Sequence, residues 1–91
     1  MNLNASLAVP QDVIARELGT ETVILDLASG TYYGLDPVGA RIWQLMAKGQ
    51  TLVQVCDVML GEYNVTREDI ERDVLALAQT LLDKQLVSVG A

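Results

Sequence analysis

Apolar residues change their spacing once along this chain. From Val13 to Leu35 they come in short runs separated by turn-forming residues; from Pro37 onward they recur every three or four positions. Val13 to Leu18 reads as a strand closed by a Gly19-Thr20 turn. Thr22 to Leu27 is a second strand, in which Val23, Leu25 and Leu27 alternate with Thr22, Ile24 and Asp26. Ala28-Ser29-Gly30 supplies the next turn, where Gly30 adopts positive φ without steric cost. Thr31 to Leu35 is the third strand, with Tyr33 and Leu35 on one face and Tyr32 on the other. Short turns at both joints imply an antiparallel meander with the third strand at one edge. Residues 1 to 10 are expected to be a loose lead-in with a short extended stretch at Leu7 to Val9.

Asp36-Pro37 marks the change of period. Asp36 is a good N-cap, and Pro37 suits the first helical position, where a missing N–H costs nothing. The helix from Pro37 to Ala47 is expected to bury Val38, Ile42, Leu45 and Met46, with Trp43 nearby, and to end at Lys48-Gly49. A second helix begins near Thr51, with Leu52, Val55, Met59 and Leu60 as its apolar stripe. Thr66 caps the third and longest helix. Its first turns carry Glu68, Asp69 and Glu71, placed where the helix dipole favours negative charge. Ile70, Val74, Leu77 and Leu81 share one face of it, and Leu86 to Val89 reads as a short extended tail. The predicted architecture is α+β and winged helix-turn-helix-like: a three-stranded antiparallel sheet followed by three helices. It forms a single domain over 1–91, with its core at about 13–88.

Composition narrows what such a domain does. The 91 residues are 51% apolar and 20% charged, which argues for a packed core and against disorder. Twelve acidic residues against six basic ones give a net charge of −6. That field repels phosphate backbones and anionic lipid surfaces, so neither nucleic acid nor membrane is an expected partner. A winged-helix order invites a DNA-binding reading, but the third helix would bring four acids and only two arginines to the phosphates in its first turns. The start of the chain has neither a positively charged n-region nor a long apolar run, and no window approaches the roughly 18 apolar residues of a membrane span. A cytoplasmic location is expected.

Catalytic constellations are sparse. With no histidine and one cysteine, Cys56, the chain lacks a Cys-His pair, a disulfide and the usual metal-ligand clusters. Cys56 sits mid-helix between Val55 and Asp57 and reads as a buried structural thiol. The carboxylates of Glu68, Asp69, Glu71 and Asp73 gather at a helix start, where dipole compensation accounts for them. Gly30 and Gly34 bracket two tyrosines, but a strand rather than a helix runs between them, so they cradle no phosphate. No enzyme activity, metal or cofactor is expected.

The run Val23-Ile24-Leu25-Asp26-Leu27-Ala28-Ser29-Gly30-Thr31-Tyr32-Tyr33-Gly34-Leu35-Asp36, followed by Gly39-Ala40-Arg41-Ile42-Trp43, resembles the PqqD-like family. These are recognition elements of pathways that modify ribosomally made peptides. The family pattern is a strand ending in Asp, then Gly-x-Tyr-Tyr-x-Leu-Asn, then Gly-Ala-x-Ile-Trp; Asp36 replaces the common Asn and still caps a helix. Gly49, Tyr63, Asp73-Val74 and the stretch Leu82 to Val87 extend the likeness to about residues 13–88. The resemblance implies a non-catalytic adaptor that binds the leader of a precursor peptide as a further strand beside the third strand, with leader side chains in a groove against the third helix. The Tyr-Tyr-Gly-Leu signature is most similar to the free-standing members of lasso-peptide pathways. Implied partners are therefore the precursor leader peptide, a cysteine-protease-like leader peptidase and an ATP-dependent macrolactam synthetase. A peptide chaperone in pyrroloquinoline quinone synthesis ranks second, and a dimerisation module pairing through the free edge is the structural alternative.

Expected peptide-binding residues are Thr31, Tyr32, Tyr33, Gly34 and Leu35 on the strand, with Asp69, Arg72, Asp73, Ala76, Leu77 and Thr80 on the third helix. Periodicity alone leaves open which flank of that helix faces the strand; Arg72 lies nearer the opposite flank. It also leaves Leu35, Leu77 and Tyr33 divided between core and groove, and Asp73 between holding a leader cation and capping the groove.

Overall fold

The computed structural model describes residues 2–90. In chain order its elements are β1 (Leu7–Ala8), β2 (Val13–Leu18), β3 (Glu21–Asp26), β4 (Tyr32–Leu35), α1 (Pro37–Ala47), α2 (Leu52–Glu62), α3 (Arg67–Asp83) and β5 (Ser88–Val89). Strands β2, β3 and β4 form an antiparallel meander in that order, with β3 central and the other two as edges. Gly30 has φ 76° in the turn between β3 and β4, where Asp26 accepts hydrogen bonds from the backbone of Ala28 and the hydroxyl of Ser29.

Each helix starts at the cap its sequence announces. The Asp36 carboxylate accepts the Gly39 N–H at 2.7 Å, Thr51 and Gln54 form a reciprocal capping box, and Thr66 accepts the Asp69 N–H. α1 ends with Gly49 at φ 86° donating its N–H to the Met46 carbonyl. Beneath the sheet, Val13, Ile24 and Leu35 join Ile42, Met46, Val74 and Leu81 in one apolar cluster, and α1 packs against β3 and β4. Cys56 lies fully inside the cluster, and burial pushes its thiol pKa up. Two ion-pair sets sit outside it: Arg67 joins Asp57 of α2 to Glu71 of α3, and Arg41 of α1 grips both oxygens of Glu62 at the end of α2.

The structure decides the inward face of β3, which periodicity left open, and changes two expectations. In β3 the residue facing the core is Ile24, fully buried, whereas Val23 and Leu25 stand half-exposed on the opposite face and Leu27 is exposed beyond the strand. The sheet is apolar on both faces, so counting apolar residues does not decide between them. Val38 is exposed on the first turn of α1, where it lines a surface groove instead of the core. The lead-in is not loose: β1 pairs with β5, Leu7 is buried, and the carbonyls of Leu3 and Ala5 accept the Val53 and Leu52 N–H groups at the start of α2. Those first N–H groups have no partner within their own helix, and the lead-in supplies it.

Leu81 packs from α3 into the centre of the cluster, so Leu81→Ala should cost about 2–5 kcal/mol in urea unfolding. Cys56 should stay unreactive toward a disulfide thiol reagent at pH 8 in the folded protein and react at once in denaturant. Arg41 lowers the pKa of Glu62 by hydrogen bonding and charge. A carboxyl depressed on folding stabilises above its unfolded value of about 4.3, and that contribution fades as pH falls through the lower folded value. The melting-temperature gap between wild type and Arg41→Gln should therefore be present at neutral pH and close below the ordinary carboxylate range.

Candidate functional site

Antiparallel pairing decides which backbone groups of β4 are free. The Asp26 N–H donates to the Thr31 carbonyl, and the register pairs Ile24 with Tyr33 and Thr22 with Leu35. Hydrogen-bonded and non-hydrogen-bonded pairs alternate, so Tyr33 and Leu35 bond inward to β3. Tyr32 and Gly34, opposite Leu25 and Val23, turn their N–H and C=O groups away from β3 toward the open side. Two residues with one donor and one acceptor each present four main-chain groups along the edge.

The other edge is different in kind. β2 carries Arg16 and Glu17 at its middle, and Glu17 belongs to the set that points under the sheet. Charges on an edge, above all inward-pointing ones, oppose the addition of a foreign strand. β4 reads Tyr-Tyr-Gly-Leu and carries no charge. Only one edge of this sheet is chemically open.

Beside that open edge runs a groove of about 260 Å³. Tyr33, Gly34 and Leu35 form its strand wall, Asp36, Val38, Gly39 and Ile42 its end, and Asp73 and Leu77 its helical wall. Gly39 is small for a reason: a Cβ there would stand 3.2 Å from the Asp36 carboxylate and 3.4 Å from Leu35, crowding the cap that turns β4 into α1. Leu77 is half-buried, packed against the core on one side and open to the groove on the other. Lys84, at the end of α3, sits 5.5 Å from the centroid of the Tyr33 ring. Asp36 and Asp73 thus bring two carboxylates to the groove, and Lys84 stands over the Tyr33 ring that forms part of its wall.

The sequence-predicted residues divide accordingly. Tyr33, Gly34, Leu35, Asp73 and Leu77 are brought together around the groove. Tyr32 is 72% exposed and stands on the far face of the sheet. Thr31 belongs to the turn, its hydroxyl accepting from Ser29. Asp69, Arg72, Ala76 and Thr80 do not line the groove: Arg72 bridges Asp69 and Asp73 along the surface of α3, and the Thr80 hydroxyl donates to the Ala76 carbonyl within the helix. Asp73 and Leu77, one turn apart, settle which flank of α3 faces the strand. Sequence reasoning missed Asp36, Val38, Gly39 and Ile42 as groove residues, along with Lys84 beside Tyr33. The signal lay in Asp36-Pro37, since a helix that begins one residue after an edge strand must close the end of any groove beside it.

Among the described residues no helix is long and apolar enough to cross a membrane, and no cluster of three His, Cys, Asp or Glu side chains has metal-binding geometry. No curated protein matches the chain. Two solved structures resemble it closely. TbiB1, in complex with the TbiA(beta) leader peptide, is 36% identical, with a TM-score of 0.83 over 92% of this chain and 98% of that one. A lasso peptide synthetase B1, complexed with the leader peptide, is 29% identical, with a TM-score of 0.82 over 91% of this chain and 98% of the other. The family model for coenzyme PQQ synthesis protein D matches residues 21–87, most of the sheet and all three helices. The chain belongs to the PqqD family.

Proposed function

We propose that this chain is a peptide-recognition element of lasso-peptide biosynthesis. It takes the leader of a ribosomally made precursor as a fourth strand on β4 and holds it for the enzymes that mature the core. The observation that carries this reading is the asymmetry of the two sheet edges. β4 is uncharged and bordered by an apolar groove, whereas β2 is guarded by Arg16 and Glu17. The likeness to two proteins solved with leader peptides supports it.

The energetics assign separate roles to backbone and side chains. Four main-chain hydrogen bonds at about 1 kcal/mol each give only millimolar binding and select no sequence. Reaching the micromolar range requires about 4 kcal/mol more. Burying one or two aliphatic side chains among Leu35, Val38, Ile42 and Leu77 supplies about that much. Alternation along the added strand sends every second residue into the groove, so the apolar positions of the leader are spaced by two. Asp73 and Asp36 favour a cationic residue of the leader near them, and Lys84 disfavours one beside Tyr33.

On this reading the domain's contribution is positional, with its one thiol, Cys56, buried in the core. Anchoring the leader tethers the core peptide at high local concentration for a cysteine-protease-like leader peptidase and an ATP-dependent macrolactam synthetase in the cytoplasm. Under this reading Asp69, Arg72, Ala76 and Thr80 keep a role only at the outer lip of α3, where a longer leader passes over them.

The TbiA(beta) leader peptide is a suitable probe. It should bind by titration calorimetry at low micromolar Kd or tighter. Leu77→Asp should weaken binding at least about tenfold, equivalent to roughly 1.4 kcal/mol, while keeping a cooperative melt. Arg16→Ala, on the opposite edge, should leave the Kd unchanged. Methylating alternate peptide amides should abolish binding in one phase and spare it in the other. No heat and no NMR shift with the wild-type protein would refute the proposal. So would a stable dimer by sedimentation that buries β4 against its own copy.

A further inference from the structure

Adding a strand to β4 creates two peptide surfaces. Residues opposite Tyr33 and Leu35 enter the groove, whereas those opposite Tyr32 and Gly34 stand on the other face of the sheet. That second face is built in cross-strand rows. One row runs Ile14, Leu25, Tyr32, and its neighbour runs Arg16, Val23, Gly34. Both rows end at the open edge, the first on a tyrosine 72% exposed and the second on a residue with no side chain at all.

Gly34 has no internal reason to be glycine. Its φ is not positive, and a Cβ built there would meet nothing within 4 Å. Glycine weakens a strand, and within one it marks a bulge, a bend or a place where another group must approach closely. The β3–β4 register runs unbroken through this position, pairing Gly34 with Val23, so a bulge is not the explanation. What remains is a shallow notch on the outer face, walled by Tyr32 along the strand and Val23 across it. A flat side chain reaching from a neighbouring strand covers such an edge glycine well, because its ring lies over the bare backbone and restores the missing cross-strand contact.

Resting on the strand-addition reading above, we propose that the notch over Gly34 is a second specificity subsite. It receives an aromatic side chain of the bound peptide on the sheet face opposite the groove, with Tyr32 as its wall. The domain then reads the leader on both faces: aliphatic residues in the groove, and an aromatic one, odd in register to them, on the outside. Its position in the leader is offset by one or three from the groove-filling residues, so a single register satisfies both faces.

The test uses the TbiA(beta) leader peptide with the wild-type chain, Gly34→Val and Tyr32→Ser. A side chain at position 34 stands perpendicular to the sheet and leaves the four edge groups clear, and a β-branched residue suits a strand. Gly34→Val should therefore melt at or above the wild-type temperature yet bind at least about tenfold more weakly. Tyr32→Ser should also weaken binding, about threefold to tenfold. In an alanine scan of the peptide, one aromatic position should be costly with wild type and nearly silent with Gly34→Val, the coupling expected of direct contact. Should Gly34→Val melt lower, Gly34→Ala, whose single added carbon falls in open space, takes its place with the same scan. Unchanged affinity in the glycine variants, or a costly aromatic position that stays costly in them, overturns the subsite and leaves the strand-addition reading standing. Failure of the wild type to bind removes both.

Discussion

The short bond between the Asp36 carboxylate and the Gly39 N–H governs the rest of the molecule. It ends β4 and starts α1 within one residue, with Pro37 fixing φ at the first helical position. A meander that continued would cover β4 with another strand. Because the chain turns downward instead, α1 packs beneath β3 and β4, and the outer side of β4 keeps its unpaired amides. The cap demands a close approach, and Gly39 provides it: any larger residue would press on Asp36 and Leu35 together. One local hydrogen bond thus determines the direction of the helix, the end wall of the groove and the availability of the edge.

The groove follows from a second consequence of that turn. α3 crosses beside β4 without pairing to it and presents Asp73 and Leu77 to the strand. Its buried face, Ile70, Val74, Ala78 and Leu81, is satisfied by the core, so Leu77 is left at the margin, neither fully packed nor fully solvated. A half-packed leucine at the lip of a trough has apolar surface still to bury, and an incoming side chain gains free energy by burying it. The edge supplies geometry and the trough supplies selectivity, and each is weak without the other.

Much of this was legible in the sequence because it is local. Caps at Asp36, Thr51 and Thr66, the turns at Gly30 and Gly49 and the bounds of β2 are set by chemistry within a few residues. What failed was long-range. The inward position of Ile24 was hidden because Val23, Leu25 and Leu27 form the longer apolar series, and period-two counting cannot tell a core face from an apolar outer one. Val38 fits the helical stripe of α1 but faces the groove beside β4, a matter of which elements surround the first turn rather than of α1 itself. On α3 the residues Asp69, Arg72, Ala76 and Thr80 fell away from the groove while Asp73 and Leu77 remained. A helical wheel fixes relative angles and leaves the rotation of the helix against its neighbour undetermined. Leu7 was obscured likewise, since two residues of β1 carry no period of their own and are held only by β5 and the start of α2.

An open edge is ordinarily a hazard, since any unfolded chain offers the matching donors and acceptors. The length of β4 resolves the conflict. Its four residues place only two, Tyr32 and Gly34, with main-chain groups facing outward. An arbitrary strand that pairs there gains about 4 kcal/mol at most, and at that strength it leaves as readily as it arrives. β2 is longer and would be the greater danger, and that is the edge on which Arg16 and Glu17 stand. Charge protects the edge that is long, and brevity protects the edge that stays open. Shortness also sets the terms of recognition. With so little backbone to contribute, a strand added there would owe nearly all of its discrimination to its side chains, because the main chain alone cannot hold it.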